Sequence, residues 1–248
     1  MFVPKEYIKL KKMFKLYQRT SFYIAAFIFG GLFNSAAQAK KPLQDITDRM
    51  HTDSAALLNE FGKNKKMPAG FEKQILYALS YFPELANTKI TVKLKKGGNG
   101  IISTRPSFSS IFRRSSKRSY IVIINDSSAG RILPVFSNGG VNGQVGILGH
   151  EFSHIVYFSK RTGFALVGLG IAHISDRFMD RFENKTDSVT IERGLGYQLI
   201  DWKQYLDKGF RAMRPVMPTP SEKPAIRERY MSVEHIRKVM ANSELYRK

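Results

Sequence analysis

The chain has 248 residues, 43% of them hydrophobic, which is enough for one large domain with a packed core. The absence of cysteine excludes disulfide frameworks, thiolate metal sites and cysteine nucleophiles. A formal net charge of +20 predicts attraction to anionic surfaces such as a cell envelope, although net charge alone names no partner.

The first 39 residues have the order of a secretory signal peptide. Basic residues between Lys5 and Arg19 precede an apolar run from Phe22 to Phe33, and the small residues of Ala37-Gln38-Ala39 follow it. This order predicts a signal peptide at 1–39, cleavage after that last motif, and a periplasmic or secreted protein. An uncleaved membrane anchor remains the alternative because the basic region is long. Residues 40–248 are expected to form a single domain.

Helix and strand patterns alternate between residues 43 and 136. Apolar residues at helical spacing predict helices at 43–61 and 71–82. β-Branched and alternating apolar residues predict short strands, at 90–94, 101–104, 120–125 and 132–136.

The segment 113–118, RRSSKR, is a basic run between two predicted strands. Such runs usually form solvated loops, and a nucleic-acid patch is a poor interpretation in an exported chain. We therefore expect no nucleic-acid partner.

Helical patterns dominate the chain after residue 140. They predict helices or helical segments at about 141–158, at 163–174, at 176–206 and from Ser232 onward. The second is apolar and rich in glycine, and it is expected to be a buried helix or loop because it is too short to span a membrane. The third is expected to break near Gly194 or Gly196, and prolines between 215 and 224 predict a loop.

The predicted helix at 141–158 contains His150-Glu151-Phe152-Ser153-His154, an H-E-x-x-H pattern. Positions i and i+4 share one helix face, so both imidazoles can bind one Zn²⁺. Glu151 can then act as the general base for a metal-activated water. The pattern can arise by chance, but unpaired polar side chains on an otherwise apolar helix would be costly, which favours a metal site.

A catalytic zinc site needs a third protein ligand, which must be His, Asp or Glu in a chain without cysteine. The metzincin extension is excluded, since Tyr157 and Lys160 stand where that motif has Gly and His. The downstream candidates are His173, Asp176, Asp180 and Glu183.

Glu183 is the preferred third ligand because it forms an E-x-x-x-D pattern with Asp187. These two residues lie at i and i+4 on one face of a predicted helix. Glu183 could bind the metal while Asp187 accepts a hydrogen bond from the outer N–H of a ligand His.

H-E-x-x-H followed, after 28 intervening residues, by E-x-x-x-D resembles the gluzincin zinc peptidases, including the thermolysin-like family. The resemblance implies a zincin-like α+β catalytic domain. Its small, mostly antiparallel sheet would lie beside an active-site helix, and a second helical part would carry the third ligand. The resemblance also implies Zn²⁺ bound by His150, His154 and Glu183, with Glu151 as general base and Asp187 in support.

The expected function is therefore a secreted or periplasmic zinc peptidase with peptide or protein substrates. The main alternative is an envelope-associated binding protein whose zinc is structural or whose catalysis is lost. A zinc hydrolase acting on cell-wall peptide or another amide is a third possibility. The oligomeric state and the cleavage specificity are not predicted.

Two further parts of a peptidase site remain open in the sequence. Candidates for stabilising the oxyanion of the tetrahedral intermediate are Tyr230, His235, His173, Arg193 and Tyr197. The strand at 120–125 or the one at 132–136 could pair with an extended substrate backbone.

Overall fold

A computed structural model describes residues 40–52, 54–96, 100–126, 134–213 and 229–247. The predicted signal peptide and the proline-rich loop at 215–224 lie outside the described residues. All described residues belong to one compact unit. None of the described helices combines the length and apolar content that a membrane crossing requires.

The described residues form an α+β protein with eight α-helices and a small sheet. The helices are α1 (Thr47–Thr52), α2 (Ser54–Phe61), α3 (Glu72–Leu79), α4 (Val141–Ser159), α5 (Gly163–Ala172), α6 (Asp176–Glu192), α7 (Gly196–Met213) and α8 (Val233–Asn242). The strands are β1 (Lys65–Lys66), β2 (Lys89–Lys95), β3 (Ile102–Pro106) and β4 (Ser119–Asn125).

The sheet is mixed and has the order β1-β2-β4-β3. β1 pairs with β2 in parallel, β2 pairs with β4 in parallel, and β3 pairs with β4 in antiparallel orientation. The prediction of a mostly antiparallel sheet is therefore wrong. β2 and β3 run in opposite directions, but β4 inserts between them and so runs parallel to β2.

The predicted strand at 132–136 is also wrong where it can be compared. Residues 132 and 133 lie outside the described residues, Pro134 and Val135 have no regular structure, and Phe136 begins a 3-10 turn. Proline has no N–H for a strand ladder, which agrees with this result. The strand predicted most clearly, at 120–125, is β4, and its buried residues alternate along the chain.

The predicted helices are present, with two changes. The pattern at 43–61 forms α1 and α2, and the pattern at 176–206 breaks between α6 and α7, where Gly194 has a positive φ of 98°. Only glycine adopts that backbone conformation readily. α5 is helical, but only one of its faces is buried, so the expectation of a buried segment is only half right.

α4 is the central helix, with nearly all of its residues buried. It contacts α3, α6, α7 and β3. Its approach to α7 depends on glycines on one face, because a Cβ at Gly146 would lie 2.4 Å from the backbone of Gln198. A Cβ at Gly143 would lie 3.0 Å from the backbone nitrogen of Trp202. These missing side chains let α4 and α7 pack almost backbone to backbone.

The beginning of α4 is held in place by Asn142. Its side-chain nitrogen donates to the carbonyl of Gln44 at 3.0 Å, and its oxygen accepts from the side-chain nitrogen of Gln198 at 2.9 Å. The buried amide therefore joins the start of the described chain to α4 and α7. A buried polar group satisfied in this way defines the position of the helix that carries the candidate site.

Candidate metal centre

α4 places three polar side chains in the protein interior. His150 is 2% exposed, Glu151 is 4% exposed and His154 is 6% exposed. Each offers a ligand atom, and these atoms lie within 4.8 Å of one another. The two imidazole rings are one helical turn apart, with centroids separated by 4.8 Å. His150, Glu151 and His154 therefore form a buried group that could hold a metal ion.

α6 brings the carboxylate of Glu183 to both histidines. Oε2 of Glu183 lies 3.0 Å from Nε2 of His150 and 3.3 Å from Nε2 of His154. Ligand atoms at about 2.0–2.1 Å from a tetrahedral zinc lie about 3.3 Å from one another. Both distances are compatible with a tetrahedral zinc site in which Glu183 would be the ligand from the second helix.

Asp187 is hydrogen-bonded to His150 at the ring nitrogen that does not contact Glu183. Nδ1–H of His150 donates to Oδ1 of Asp187 at 2.7 Å, which leaves Nε2 of the same ring as the atom that could bind a metal. The other carboxylate oxygen of Asp187 accepts from the backbone N–H of Met231 at 2.9 Å. The structure therefore brings the predicted ligands and the predicted supporting residue together, while their roles stay predictions.

Thr186 is a supporting residue that the sequence interpretation missed. Its hydroxyl oxygen lies 3.4 Å from Nδ1 of His154 and donates to the carbonyl of Phe182 at 2.9 Å. The hydroxyl oxygen can therefore accept a hydrogen bond from Nδ1–H of His154, as Asp187 does from His150. Phe182 also stacks on the ring of His154, at 4.9 Å between centroids. The only sequence signal for Thr186 is its place within the E-x-x-x-D segment.

The electrostatics of the site favour positive charge between the histidines and Glu183. Burial by itself lowers the pKa of His150, but the charge and hydrogen bonds of Asp187 and Glu183 outweigh it and raise that pKa to about 10. Burial raises the pKa of Glu183, but hydrogen bonds from His150 and His154 hold it well below its usual range. Without a metal, a proton on the imidazole supplies the positive charge that these carboxylates favour. A divalent cation bound there would replace that proton.

Glu151 differs from the other acidic groups of the site. Its Oε2 is buried and has no hydrogen-bond partner among the described residues. Burying a carboxylate oxygen without a partner is costly, and such atoms are often found at functional sites. An oxygen without a partner could accept a proton from a water molecule, which is what a general base must do.

A cavity of about 240 Å³ lies at this group. Its wall includes the two histidines, both glutamates and three residues of β3, Ile102, Ser103 and Thr104. β3 is an edge strand, paired only with β4 within the described sheet. β4 lies between β2 and β3, so the hypothesis that 120–125 pairs with a substrate is wrong. Of the described strands, β3 is the one that lines the cavity.

The other third-ligand candidates are placed differently. Asp176 accepts from Arg229 at 2.9 Å, and Asp180 lies 3.7 Å from the same guanidinium. Neither lines the cavity. His173 does line it, but Nδ1 of His173 is hydrogen-bonded to the carbonyl of Leu169 at 2.6 Å. Glu183 is the candidate at ligand distance from both histidines.

Among the residues proposed to stabilise an oxyanion, Tyr230 and His173 line the cavity. The ring of Tyr230 is 5.9 Å from that of His150. Partial burial, followed by the negative charges of Glu183, Glu151 and Asp187, raises the pKa of Tyr230 well above its usual value, although 44% of the residue is exposed. Its hydroxyl therefore stays protonated and able to donate at neutral pH.

The remaining oxyanion candidates lie elsewhere. Arg193 is paired with Glu84, and Tyr197 packs on Tyr246 at 5.7 Å between centroids. The backbone N–H of His235 donates to the hydroxyl of Ser232 at the start of α8. None of the three lines the cavity.

Comparisons with protein-family models, with curated proteins and with solved structures found no match for the chain. The resemblance to gluzincin peptidases therefore rests on the residues of the two motifs alone.

Proposed function

We propose that the chain is an extracytoplasmic zinc peptidase. The observation that carries the proposal is the buried carboxylate of Glu151, which has one unpaired oxygen and offers an oxygen within 4.8 Å of the ligand nitrogens of two histidines. A structural site would satisfy its polar atoms and use four protein ligands. This group instead leaves one carboxylate oxygen unbonded beside a cavity, as hydrolysis requires.

His150, His154 and Glu183 would hold the zinc. When bound, zinc polarises a carbonyl group and lowers the pKa of water at the site. Asp187 and Thr186 would keep the two imidazoles in the tautomer that presents Nε2 to the metal. The whole donor set is nitrogen and carboxylate oxygen, which suits zinc in a chain without cysteine.

Glu151 would perform the proton transfers. Its unpaired oxygen accepts a proton from the attacking water, whose oxygen bonds to the carbonyl carbon of the substrate. Glu151 then delivers that proton to the leaving amine as the C–N bond breaks. Its closeness to both histidines supports this role, because a zinc held by them would activate the water beside Glu151.

β3 and Tyr230 would position the substrate. The free edge of β3 could pair with an extended peptide, and its residues 102–104 line the cavity. The hydroxyl of Tyr230 is the best-placed donor for the oxyanion that forms during the reaction. Peptides or proteins are therefore the proposed substrates, and the N-terminal sequence supports an encounter outside the cytoplasm.

The test measures metal and activity together. Zinc per chain is determined by elemental analysis, and cleavage of a fluorogenic peptide library is followed for the wild type and for Glu151→Gln. We expect about one zinc per chain in both proteins, with cleavage lost only in the variant, because the base is not a ligand. Glu192→Gln, at an exposed position on α6, is the matched control and should keep both properties.

Two results would contradict the proposal in different ways. A protein that takes up no zinc would remove the metal centre itself. A protein that binds zinc but cleaves no peptide would leave the metal centre intact and favour the alternative, an envelope-associated binding protein with a structural ion.

A further inference from the structure

α5 exposes apolar side chains on one face. Phe164 is 82% exposed, Val167 is 44% exposed and Ile171 is 66% exposed, and these positions recur at helical spacing. Ile174, just beyond the helix, is 85% exposed. The opposite side of the helix, at Gly163, Leu166 and Leu169, is buried. The helix is therefore fixed to the core by one face and presents the other to its surroundings.

The segment before β4 extends this apolar surface. The ring of Phe112, 65% exposed, packs on Phe164 at 5.4 Å between centroids. Arg118 holds the segment in place, since its buried guanidinium donates to the carbonyls of Phe158 and Arg161, each at 3.0 Å. We call the surface formed by Phe112, Phe164, Val167, Ile171 and Ile174 the α5 face. Exposed apolar side chains clustered in this way are typical of interaction sites.

The charges around the α5 face are mostly positive; Asp176, two residues beyond Ile174, is an exposed acid and is paired with Arg229. Three exposed basic residues follow Phe112 in the same segment, namely Arg113, Arg114 and Lys117. Neither residues 100–118 nor residues 159–175 include any Asp or Glu. An apolar patch bordered by arginine and lysine matches the chemistry of a bilayer interface, where acyl chains lie beneath anionic headgroups.

We infer that the α5 face docks the protein on the surface of an anionic lipid bilayer, with α5 lying in the interface. A second copy of the chain is a poorer occupant, because its own α5 face would bring the same positive charges to the contact. α5 would lie on the bilayer and not cross it, because its 10 residues are too few for a transmembrane helix. His173, which follows α5, lines the cavity, so the docked surface lies beside the metal centre. The inference does not depend on peptidase activity.

The absence of cysteine permits a site-specific test on the full chain. Ile171→Cys is labelled with an environment-sensitive fluorophore, and Glu60→Cys, at an exposed position on α2, is the matched control. The protein is mixed with vesicles of equal parts phosphatidylglycerol and phosphatidylcholine. We expect a blue shift and quenching by lipid-attached quenchers at position 171 only. Attachment through the N-terminal segment alone would not immerse this position.

The electrostatic part is tested with a set of charge variants. Arg113→Gln, Arg114→Gln and Lys117→Gln, combined in the Ile171→Cys background, should raise the lipid concentration for a half-maximal signal by roughly tenfold or more. The matched control removes the same charge at Lys63, Lys66 and Lys89, which are exposed on or beside β1 and β2. We expect this control to change the midpoint much less.

Three results would overturn the inference. The first is no spectral shift at position 171 with anionic vesicles. The second is an equal shift with pure phosphatidylcholine vesicles, which would remove the role of the basic border. The third is a lipid-independent shift that grows with protein concentration, which would assign the α5 face to a second copy of the chain.

Discussion

His150 and Asp187 are joined by a hydrogen bond of 2.7 Å between Nδ1 and Oδ1 in the protein interior. The second oxygen of Asp187 is bound by the backbone N–H of Met231, just before α8. Asp187 thus connects the candidate metal centre to the C-terminal part of the chain. The same contact orients the imidazole so that Nε2 meets Glu183.

Replacing Asp187 by Asn should weaken zinc binding about 10–100-fold, as loss of a partner behind a ligand His generally does. The amide has nearly the same shape, but it lacks the charge that supports the Nδ1 proton. Competition with a chromophoric chelator measures the effect. Asp207→Asn, at an exposed position on α7, should leave the affinity unchanged. Equal affinities for the wild type and Asp187→Asn would contradict the supporting role.

Glu183→Gln should weaken zinc binding by more than the roughly 100-fold expected for a supporting partner, because it removes a ligand and its charge. Asp180→Asn is the matched control, since Asp180 lies one turn earlier on α6 and interacts with Arg229. The same chelator competition applies. If both variants lost zinc to the same extent, Glu183 would not be the third ligand.

Tyr230→Phe should lower kcat by about 100-fold or more, while KM and zinc content stay near the wild-type values. The reason is that the hydroxyl would meet negative charge that develops only during the reaction. Tyr197→Phe is the control, because Tyr197 packs on Tyr246 away from the cavity. A change confined to KM would assign Tyr230 to substrate binding instead of oxyanion stabilisation.

Gly146→Ala should lower the free energy of unfolding by about 1–3 kcal/mol, because the added methyl meets the backbone of Gln198 and forces α4 and α7 apart. Gly168→Ala should have the opposite effect on stability, because the added methyl has open space around it. No atom lies within 4 Å of the added methyl at Gly168, on an exposed part of α5. That change should raise the free energy of unfolding by up to about 1 kcal/mol. Urea unfolding at fixed zinc concentration compares the two variants.

Lys65 should make stability depend on pH in the alkaline range. Burial lowers its pKa to about 8, whereas an unfolded chain has a lysine pKa of about 10.4. Between these values the unfolded state binds more protons, so the free energy of unfolding rises with pH. Lys65→Met also removes the hydrogen bonds that Nζ donates to the carbonyls of Lys63 and Ala86. The stability of the variant relative to the wild type should therefore be most favourable near neutral pH and should fall as pH rises. Lys66→Met, at an exposed neighbouring position, should show no such trend.

The helices and the first half of the site could be predicted because their signals are local. His150 and His154 share a face of any helix that contains them, and the apolar residues around them require that helix to be buried. The N-cap at Ser232 and the break near Gly194 likewise depend on one or two residues. The strand order could not be predicted, because nothing in β2 or β3 specifies that β4 will insert between them.

The sequence by itself determined which groups could bind a metal and transfer protons. These are two histidines one helical turn apart, with a glutamate next to the first, in a chain without thiols. The sequence preferred Glu183 over Asp176 and Asp180 through its E-x-x-x-D pattern, but the three share one helix, and only packing shows that Glu183 lies beside both histidines. Packing also decided that Thr186 supports His154, that β3 borders the cavity, and that one face of α5 stays exposed. The physical reason is that helix periodicity acts over a few residues, whereas ligand geometry depends on atoms tens of residues apart being held within a few ångströms.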